Sequence, residues 1–312
     1  MPGKLQDKVA VITGAARGVG RCTALLMAQE GAKIVVADNG SSVDGSGSSL
    51  APSEAVVDEI KSLGGEATAI ACDVSDWNQS KQLIDSTIEK YGKLDILVNI
   101  AGNFRVNNIV NVTRDDWDAL RKVHMDGMMH TSHFAALHWK ERKEYGRLLN
   151  LTSDSFMSGV PDTFAYAAAK GAVVGMTRAI ANAMVNYNVT ANCMTQISMT
   201  RMADSYYPDS DTKPSDAAPS DQRPDTVPPL IVYLCSPEAS YISGRIFGSN
   251  GFTYVRWSEP EHEKKLESNL DEGWDLDYLF NEFQSTLGAG LSLEKDLQWP
   301  MEDLDQVVGT AG

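Results

Sequence analysis

Residues Thr13 to Gly20 read TGAARGVG and stand between the apolar run Val9-Ala10-Val11-Ile12 and the helix-like stretch Arg21 to Glu30. A strand, a glycine-rich turn and a helix in that order make a cradle for nucleotide phosphates. Gly14, Gly18 and Gly20 allow positive φ and remove the Cβ atoms that would hold a pyrophosphate away from the backbone. The N–H groups and the positive end of the helix dipole can then meet it. A P-loop would need a Gly-Lys-Ser/Thr ending, which is absent. The expected ligand is a dinucleotide, although such a turn also occurs as a plain tight connection.

A second constraint lies at Tyr166 and Lys170, in FAYAAAKGAVVGMTRAIA. A spacing of four puts both side chains on one helix face, among small alanines that let a ligand come close. A free tyrosine with pKa near ~10 is ionised at pH 7 to about one part in a thousand. It becomes a useful base only where a nearby cation stabilises the phenolate. Lys170 is placed to be that cation, and no other tyrosine in the chain has a lysine four residues on.

The context for the pair is Ser153, in RLLNLTSDS, where Leu148 to Leu151 read as a buried strand and the polar cluster as its C-terminal mouth. Ligands of open parallel sheets bind at that edge. With these elements the chain resembles the short-chain dehydrogenase/reductase family over roughly residues 5 to 257. The matching motifs are the TGxxxGxG turn, Asp73 after strand three, the Asn99-Ile100-Ala101-Gly102 version of the NNAG motif, and Ser153 thirteen residues before the YxxxK of Tyr166 and Lys170.

The chain has 312 residues and 43% hydrophobic content, enough for one large α/β core plus an extension. A net charge of −15 and a pI near 4.7 exclude a general nucleic-acid or anionic-membrane surface, which would need a basic footprint. Cys22, Cys72, Cys193 and Cys235 contain no CxxC pair and read as reduced thiols. No signal peptide or long apolar span is visible, so a cytoplasmic location is expected.

Strands are predicted near Val9–Ile12, Ile34–Ala37, Ala67–Cys72, Ile96–Asn99, Leu148–Leu151, Val189–Met194 and Ile246–Gly248, alternating with amphipathic helices. Several are continuous apolar runs, as in a parallel sheet covered on both faces. The expected fold is a single doubly wound, Rossmann-type α/β sheet of about seven strands over residues 1–257, followed by an acidic extension over 258–312. Residues 39–53 form a long Gly/Ser loop, and residues 203–225, rich in Asp, Ser and Pro, are expected to be a lid over substrate. In the extension, Trp274, Leu276, Tyr278, Leu279 and Phe283 predict a short amphipathic helix that docks on this subunit or a neighbour.

Asp38, about 20 residues beyond the glycine turn, is placed to accept hydrogen bonds from an adenosine ribose, which favours NAD over NADP. Its other reading is a turn-capping aspartate. The resemblance implies Arg17, Val19 and their glycine neighbours at the pyrophosphate, Asp73 and Val74 at adenine, Asn99, Ala101 and Gly102 beside the cofactor, and Thr200 at the carboxamide. Asp73 also reads as an N-cap for a helix from Ser75 to Lys90. In the implied reaction Tyr166 exchanges a proton with a secondary alcohol or ketone. Ser153 bonds the same oxygen, and Lys170 holds the nicotinamide ribose and lowers the tyrosine pKa. A homodimer or homotetramer is implied as well. No metal is expected: His130 and His133 form an HxxH with His138 further on, which reads as a surface or a subunit interface.

Two departures from the family pattern stand out. His124, in Val123-His124-Met125-Asp126-Gly127, replaces the usual asparagine, and Gln196-Ile197 replaces a proline-glycine after strand six. An imidazole at 124 is expected to serve the proton route and to titrate near pH 6–7, or else merely to pack. Histidine here, the long loop after strand two and the segment VPPLIVYLCSPEASYISGRIFGSNGFTYVRW are similar to one subgroup, typified by the (3R)-hydroxyacyl-CoA dehydrogenase domain of peroxisomal multifunctional enzyme type 2. The expected activity is therefore that of an NAD-dependent dehydrogenase on a secondary alcohol or ketone, with a 3-hydroxyacyl thioester or hydroxysteroid-like substrate. The alternative is a catalytically silent dinucleotide-binding or scaffold protein.

Overall fold

The computed structural model describes residues 3–204, 213 and 215–292. The chain runs β1 (Val9–Thr13), α1 (Gly18–Gln29), β2 (Lys33–Asp38), α2 (Ala51–Ser62), β3 (Glu66–Ala71), α3 (Trp77–Tyr91) and β4 (Ile96–Asn99). Next come α4 (Arg114–Arg121), a π-helical stretch Lys122–Gly127 that leads directly into α5 (Met128–Arg142), β5 (Gly146–Leu151), α6 (Ser155–Ser158) and α7 (Phe164–Met184). The order ends with β6 (Val189–Ile197), α8 (Arg201–Asp204), α9 (Pro228–Leu234), β7 (Ile246–Asn250), β8 (Thr253–Arg256) and α10 (Leu276–Phe283).

The strands form one sheet in the order β3-β2-β1-β4-β5-β6-β7-β8. All pairs are parallel except β7 with β8. Val9, Ala10, Val11 and Ile12 have no exposed surface, because helices cover both faces. Ala10, Ile12 and Ile34 pack with Met27, Ile60 and Ile231 on one face. Val11, Val35 and Leu97 pack with Leu83, Phe134 and Trp139 on the other. The strand order reverses between β1 and β4, and the crevice beyond their carboxyl ends is where a doubly wound sheet holds its ligand.

The sheet has eight strands rather than about seven. The additional β8 turns back on β7 through Gly251, which has φ +60, and Phe252. All four β8 residues are exposed, so no apolar run marks it in the sequence. β6 also extends beyond its expected end: Gln196 and Ile197 stay paired with Ser249 and Asn250, since without the proline every N–H can join the ladder. α3 begins at Trp77, and Asp76 caps it by accepting from Gln79 N. Asp73 is not that cap, because its Oδ1 instead accepts from the N–H and hydroxyl of Ser75.

The described residues separate into two compact units, one ending at Trp257 and one beginning at Ser258. The second contains α10, N-capped by Asp275, on the expected aromatic stretch; Leu276 and Phe280 are exposed. Of the segment 203–225, residues 205–212 and 214 lie outside the described residues, and Ser215 bonds through N and Oγ to the Asp204 carboxylate.

A buried polar chain runs beneath the crevice. Asn99 Nδ2 donates to Asn150 Oδ1 at 2.9 Å and to Ser132 Oγ at 3.3 Å. Asn150 Nδ2 donates to Thr177 Oγ1 at 2.9 Å, and Thr131 Oγ1 donates to Asn99 Oδ1 at 2.9 Å. Asn150→Ala removes one member of this water-poor network. It should cost about 1–3 kcal/mol and lower Tm by about 2–10 °C in calorimetry. An unchanged Tm would show that the chain adds nothing to stability.

Candidate active site

The Thr13 to Gly20 turn joins β1 to α1 as expected. Gly14 has φ +69, and a Cβ there would lie 2.7 Å from the Ala101 backbone. A Cβ on Gly20 would lie 2.0 Å from the Gly14 carbonyl oxygen. These two glycines let the turn close against β4 and against its own helix. Arg17 stands at the N-cap of α1 without a capping side-chain bond, and the first turn holds no acidic residue. The first N–H groups of α1, from Gly18, Val19 and Gly20, are thus left for an anion, which fits a pyrophosphate. Thr200 lies against this turn, its Cγ2 3.5 Å from where a Gly18 Cβ would stand.

Asp38 ends β2 beside the same turn. Its Oδ2 accepts from Ala16 N at 3.0 Å and its Oδ1 from Gly40 N at 2.7 Å. The turn-capping reading of Asp38 is therefore correct in part. A carboxylate offers about four lone-pair sites, so two remain for ribose hydroxyls. Asp73 and Val74 follow β3, with Val74 packed against Gly127. Ala101 and Gly102 follow β4, at the same carboxyl edge of the sheet as the turn.

Ser153 follows β5, and Tyr166 and Lys170 project from α7. The Ser153 hydroxyl is close enough to the Tyr166 phenol to lower its pKa. Lys170 Nζ stands 5.5 Å from the Tyr166 ring centroid and donates to the Leu151 carbonyl at 2.8 Å. Thr152 Oγ1 ties the serine's strand end to the Lys170 carbonyl at 2.8 Å. Burial pushes the Tyr166 phenol up to about 12, with the Ser153 hydroxyl pulling down and the Asp154 charge adding to the rise. Burial also lowers the Lys170 ammonium to about 7.

His124 lies in the π-helical stretch with no exposed surface. Its Nε2 is 2.8 Å from the Asn103 carbonyl, to which it donates, and its Nδ1 has no partner. Its ring meets the Tyr166 ring edge-on at 5.3 Å. The expectation that it titrates near pH 6–7 is corrected. Burial, followed by the Lys170 charge, holds His124 well below the ordinary histidine value, so it stays neutral. The surface reading of the HxxH pair holds for His133, which is exposed, but is corrected for His130, which is buried with Nδ1 3.0 Å from the Val74 carbonyl. His130 and His133 bracket the Trp77 indole, each with centroids 5.2 Å from it.

Sequence reasoning overlooked two neighbours of the trio. Ser155 Oγ donates to Ser153 Oγ at 3.0 Å. Phe104 is buried with its ring edge-on to Tyr166 at 5.1 Å. Ser155 could have been suspected from its place in TSDS. Nothing local singles out Phe104.

A family model described as enoyl-(acyl carrier protein) reductase matches residues 14–251. The chain is 33% identical to the hydroxyacyl-CoA dehydrogenase ChsB1 of Mycobacterium tuberculosis, over 87% of this chain and 86% of that protein. It is 34% identical to the peroxisomal multifunctional enzyme type 2 of Drosophila melanogaster, over 89% of this chain but 45% of that longer protein. Among solved structures, a short chain dehydrogenase from Mycobacterium avium superposes with a TM-score of 0.78 at 33% identity, covering 92% of this chain and 96% of that one. Carveol dehydrogenase from the same organism, in complex with NAD, superposes with a TM-score of 0.71 at 27% identity, covering 79% and 97%.

The burial of Lys170 carries a stability cost with a definite pH signature. Its folded pKa of about 7 lies below the ordinary 10.5, so below pH 7 both states are protonated and the whole penalty is present. Between pH 7 and 10.5 the unfolded chain alone binds the proton, and stability rises with pH. Lys170→Met removes the penalty and should raise Tm by about 2–4 °C at pH 6, the shift of ~1 kcal/mol in a domain of this size. The advantage should fade towards pH 10. A Met variant that melts lower at pH 6 would show that the Leu151 bond outweighs the desolvation.

Proposed function

Because the chain belongs to the short-chain dehydrogenase/reductase family, we propose that it is an NAD-dependent oxidoreductase transferring a hydride between nicotinamide and a secondary alcohol or ketone. The observation that carries this reading is the convergence of Ser153, Tyr166 and Lys170 at the carboxyl edge of the sheet, next to an uncapped helix N-terminus. A silent scaffold would have no use for a buried lysine held close to a half-buried phenol.

When bound, NAD supplies the hydride acceptor and, reduced, the hydride donor. Tyr166 Oη exchanges the proton of the carbinol, and Ser153 Oγ holds the same oxygen. Lys170, when protonated, has two N–H groups beyond the one on Leu151, suited to ribose hydroxyls, and its charge would then oppose the rise that burial and the Asp154 charge impose on the phenol. Neutral His124 serves as a fixed donor to Asn103, independent of pH across the working range. Asp38, with no arginine after it, supports NAD: a 2′-phosphate beside it would meet roughly 1–4 kcal/mol of repulsion at about 4 Å. The NAD-bound carveol dehydrogenase agrees with that choice. The hydroxyacyl-CoA dehydrogenase relative supports a 3-hydroxyacyl thioester as the narrower substrate class, with a hydroxysteroid-like alcohol second.

The same reading assigns the activity to residues 1–257 and makes 258–312 an acidic extension, with 14 acidic and three basic residues. It extends to a cytoplasmic homodimer or homotetramer. Four free cysteines suit a reducing compartment. The exposed edge strand β8 suits pairing with another copy. Among the described residues no helix is long and apolar enough to cross a membrane.

Tyr166→Phe keeps the ring packing and removes the proton-exchanging hydroxyl. Turnover, followed by NADH absorbance on a panel of secondary alcohols and 3-hydroxyacyl thioesters, should fall about 10²–10⁴-fold while NAD binding survives. Retained turnover would move the chemistry elsewhere. The unaltered protein should have the higher kcat/KM with NAD, and Asp38→Ala should narrow the gap to NADP. Equal use of both cofactors by the unaltered protein would refute the role given to Asp38.

A further inference from the structure

The Gly/Ser loop after β2 does not hang free at the edge of the sheet. Its ends meet through Ser49 N donating to the Asn39 carbonyl at 2.8 Å, and its tip through Ser42 N donating to the Ser46 carbonyl at 2.8 Å. It then reaches across the crevice in two places. Arg17 Nη1, from the glycine-rich turn, donates to the Ser41 carbonyl at 3.3 Å. Phe104 N, from the loop after β4, donates to the Val43 carbonyl at 3.1 Å. Arg105 Nη2 reaches the Asp44 carbonyl at 3.5 Å while Nη1 pairs with Asp115 and Asp116. A Cβ on Gly45 would stand 3.4 Å from Asn103 Nδ2. Three consecutive residues, Asn103 to Arg105, thus face three consecutive loop residues, Val43 to Gly45.

The other side of Asn103 and Phe104 is the Tyr166 ring. Phe104 meets it at 5.1 Å with an interplanar angle of 79°, and His124 meets it at 5.3 Å and 88°. His124 is itself anchored on the Asn103 carbonyl. The two rings that fix Tyr166 therefore both hang on a dipeptide whose backbone is clasped by the loop. A displacement of 1 Å at a reacting group can cost about 10²-fold in rate, so a shift of this dipeptide would be felt at the phenol oxygen.

We propose that Phe104 is a positioning residue that couples the 39–50 loop, which straps the cofactor side of the crevice, to the placement of Tyr166. The coupling rests on the reading of Tyr166 as the proton-exchanging group. Closing the loop over the cofactor would set the Tyr166 ring against Lys170, so that the phenol is aligned only when the cofactor is enclosed. Opening the loop for cofactor exchange would release it.

The test uses Phe104→Leu, a loop-shortened variant with residues 42–47 replaced by two glycines, and the two combined. NADH release is timed by stopped-flow fluorescence. Tyr166 is watched without turnover through its ¹³Cζ-tyrosine resonance in the NADH complex, assigned as the signal missing from Tyr166→Phe and followed from pH 7 to 11. Loop shortening should speed NADH release about tenfold. It and Phe104→Leu should each move the Tyr166 resonance and make its phenolate about threefold to tenfold harder to form, the size of one edge-on aromatic contact. The double variant should go no further than either alone. An unmoved resonance in Phe104→Leu would overturn the proposal. So would a loop-shortened variant that releases NADH faster with Tyr166 unchanged, or additive effects in the double variant. The base assignment is judged separately, by the turnover of Tyr166→Phe.

Discussion

The parallel ladder between β1 and β4 is the contact on which the molecule depends. It joins Ala10 through Thr13 to Ile96 through Asn99, residues that lie more than 80 positions apart in the chain. The connections leave this pair in opposite directions along the sheet, and so a crevice opens above it. Gly14 must lack a side chain because Ala101 stands against it, and Thr13 Oγ1 bonds both the Ile100 and the Ala101 N–H groups. Without that close approach the phosphate cradle and the loop after β4 would not share one site.

The site is held by groups that stability alone would not select. Lys170 is buried with a carbonyl for a partner, Asn99 and Asn150 lie in the sheet interior, and His124 keeps an unpartnered nitrogen. Lys170 raises the cost of folding by desolvation and His124 by an unmet hydrogen bond, whereas the two asparagines are paired within their network. The surrounding apolar strands offset that cost: β1 is fully buried along its length. Such groups are the usual trade between a poised site and a stable core.

The relatives mark how far the common plan extends. A likeness that covers 92% of this chain and 96% of a solved dehydrogenase leaves little room for a different architecture in the first unit. The departures lie where this chain has its own chemistry. Histidine at 124 remains neutral and pins Asn103, while Gln196 and Ile197 lengthen β6 by continuing its ladder. The extension carries most of the net charge of −15, yet in α10 it also shows Leu276 and Phe280 to solvent.

Read alone, the sequence determined the sheet, the cradle and the trio, because each is written in local code. Buried parallel strands appear as continuous apolar runs, a phosphate turn as spaced glycines, and Tyr166 with Lys170 as a pair one helical turn apart. The motifs also arrive in chain order, so Asp38, Asn99 and Ser153 could be placed on strand ends before any contact was known. What the sequence could not state depends on residues far apart meeting in space. β8 is exposed and short, so it has no apolar signature; Asp76 rather than Asp73 caps α3 because Ser75 takes the Asp73 carboxylate. His124 looks titratable on paper and is neutral in the fold, since desolvation and the Lys170 charge arise only once α5, α7 and the loop after β4 are packed together. Phe104 is an unremarked aromatic until the chain brings Val43 to its backbone and Tyr166 to its ring, contacts spanning about 60 residues in either direction that no local periodicity encodes.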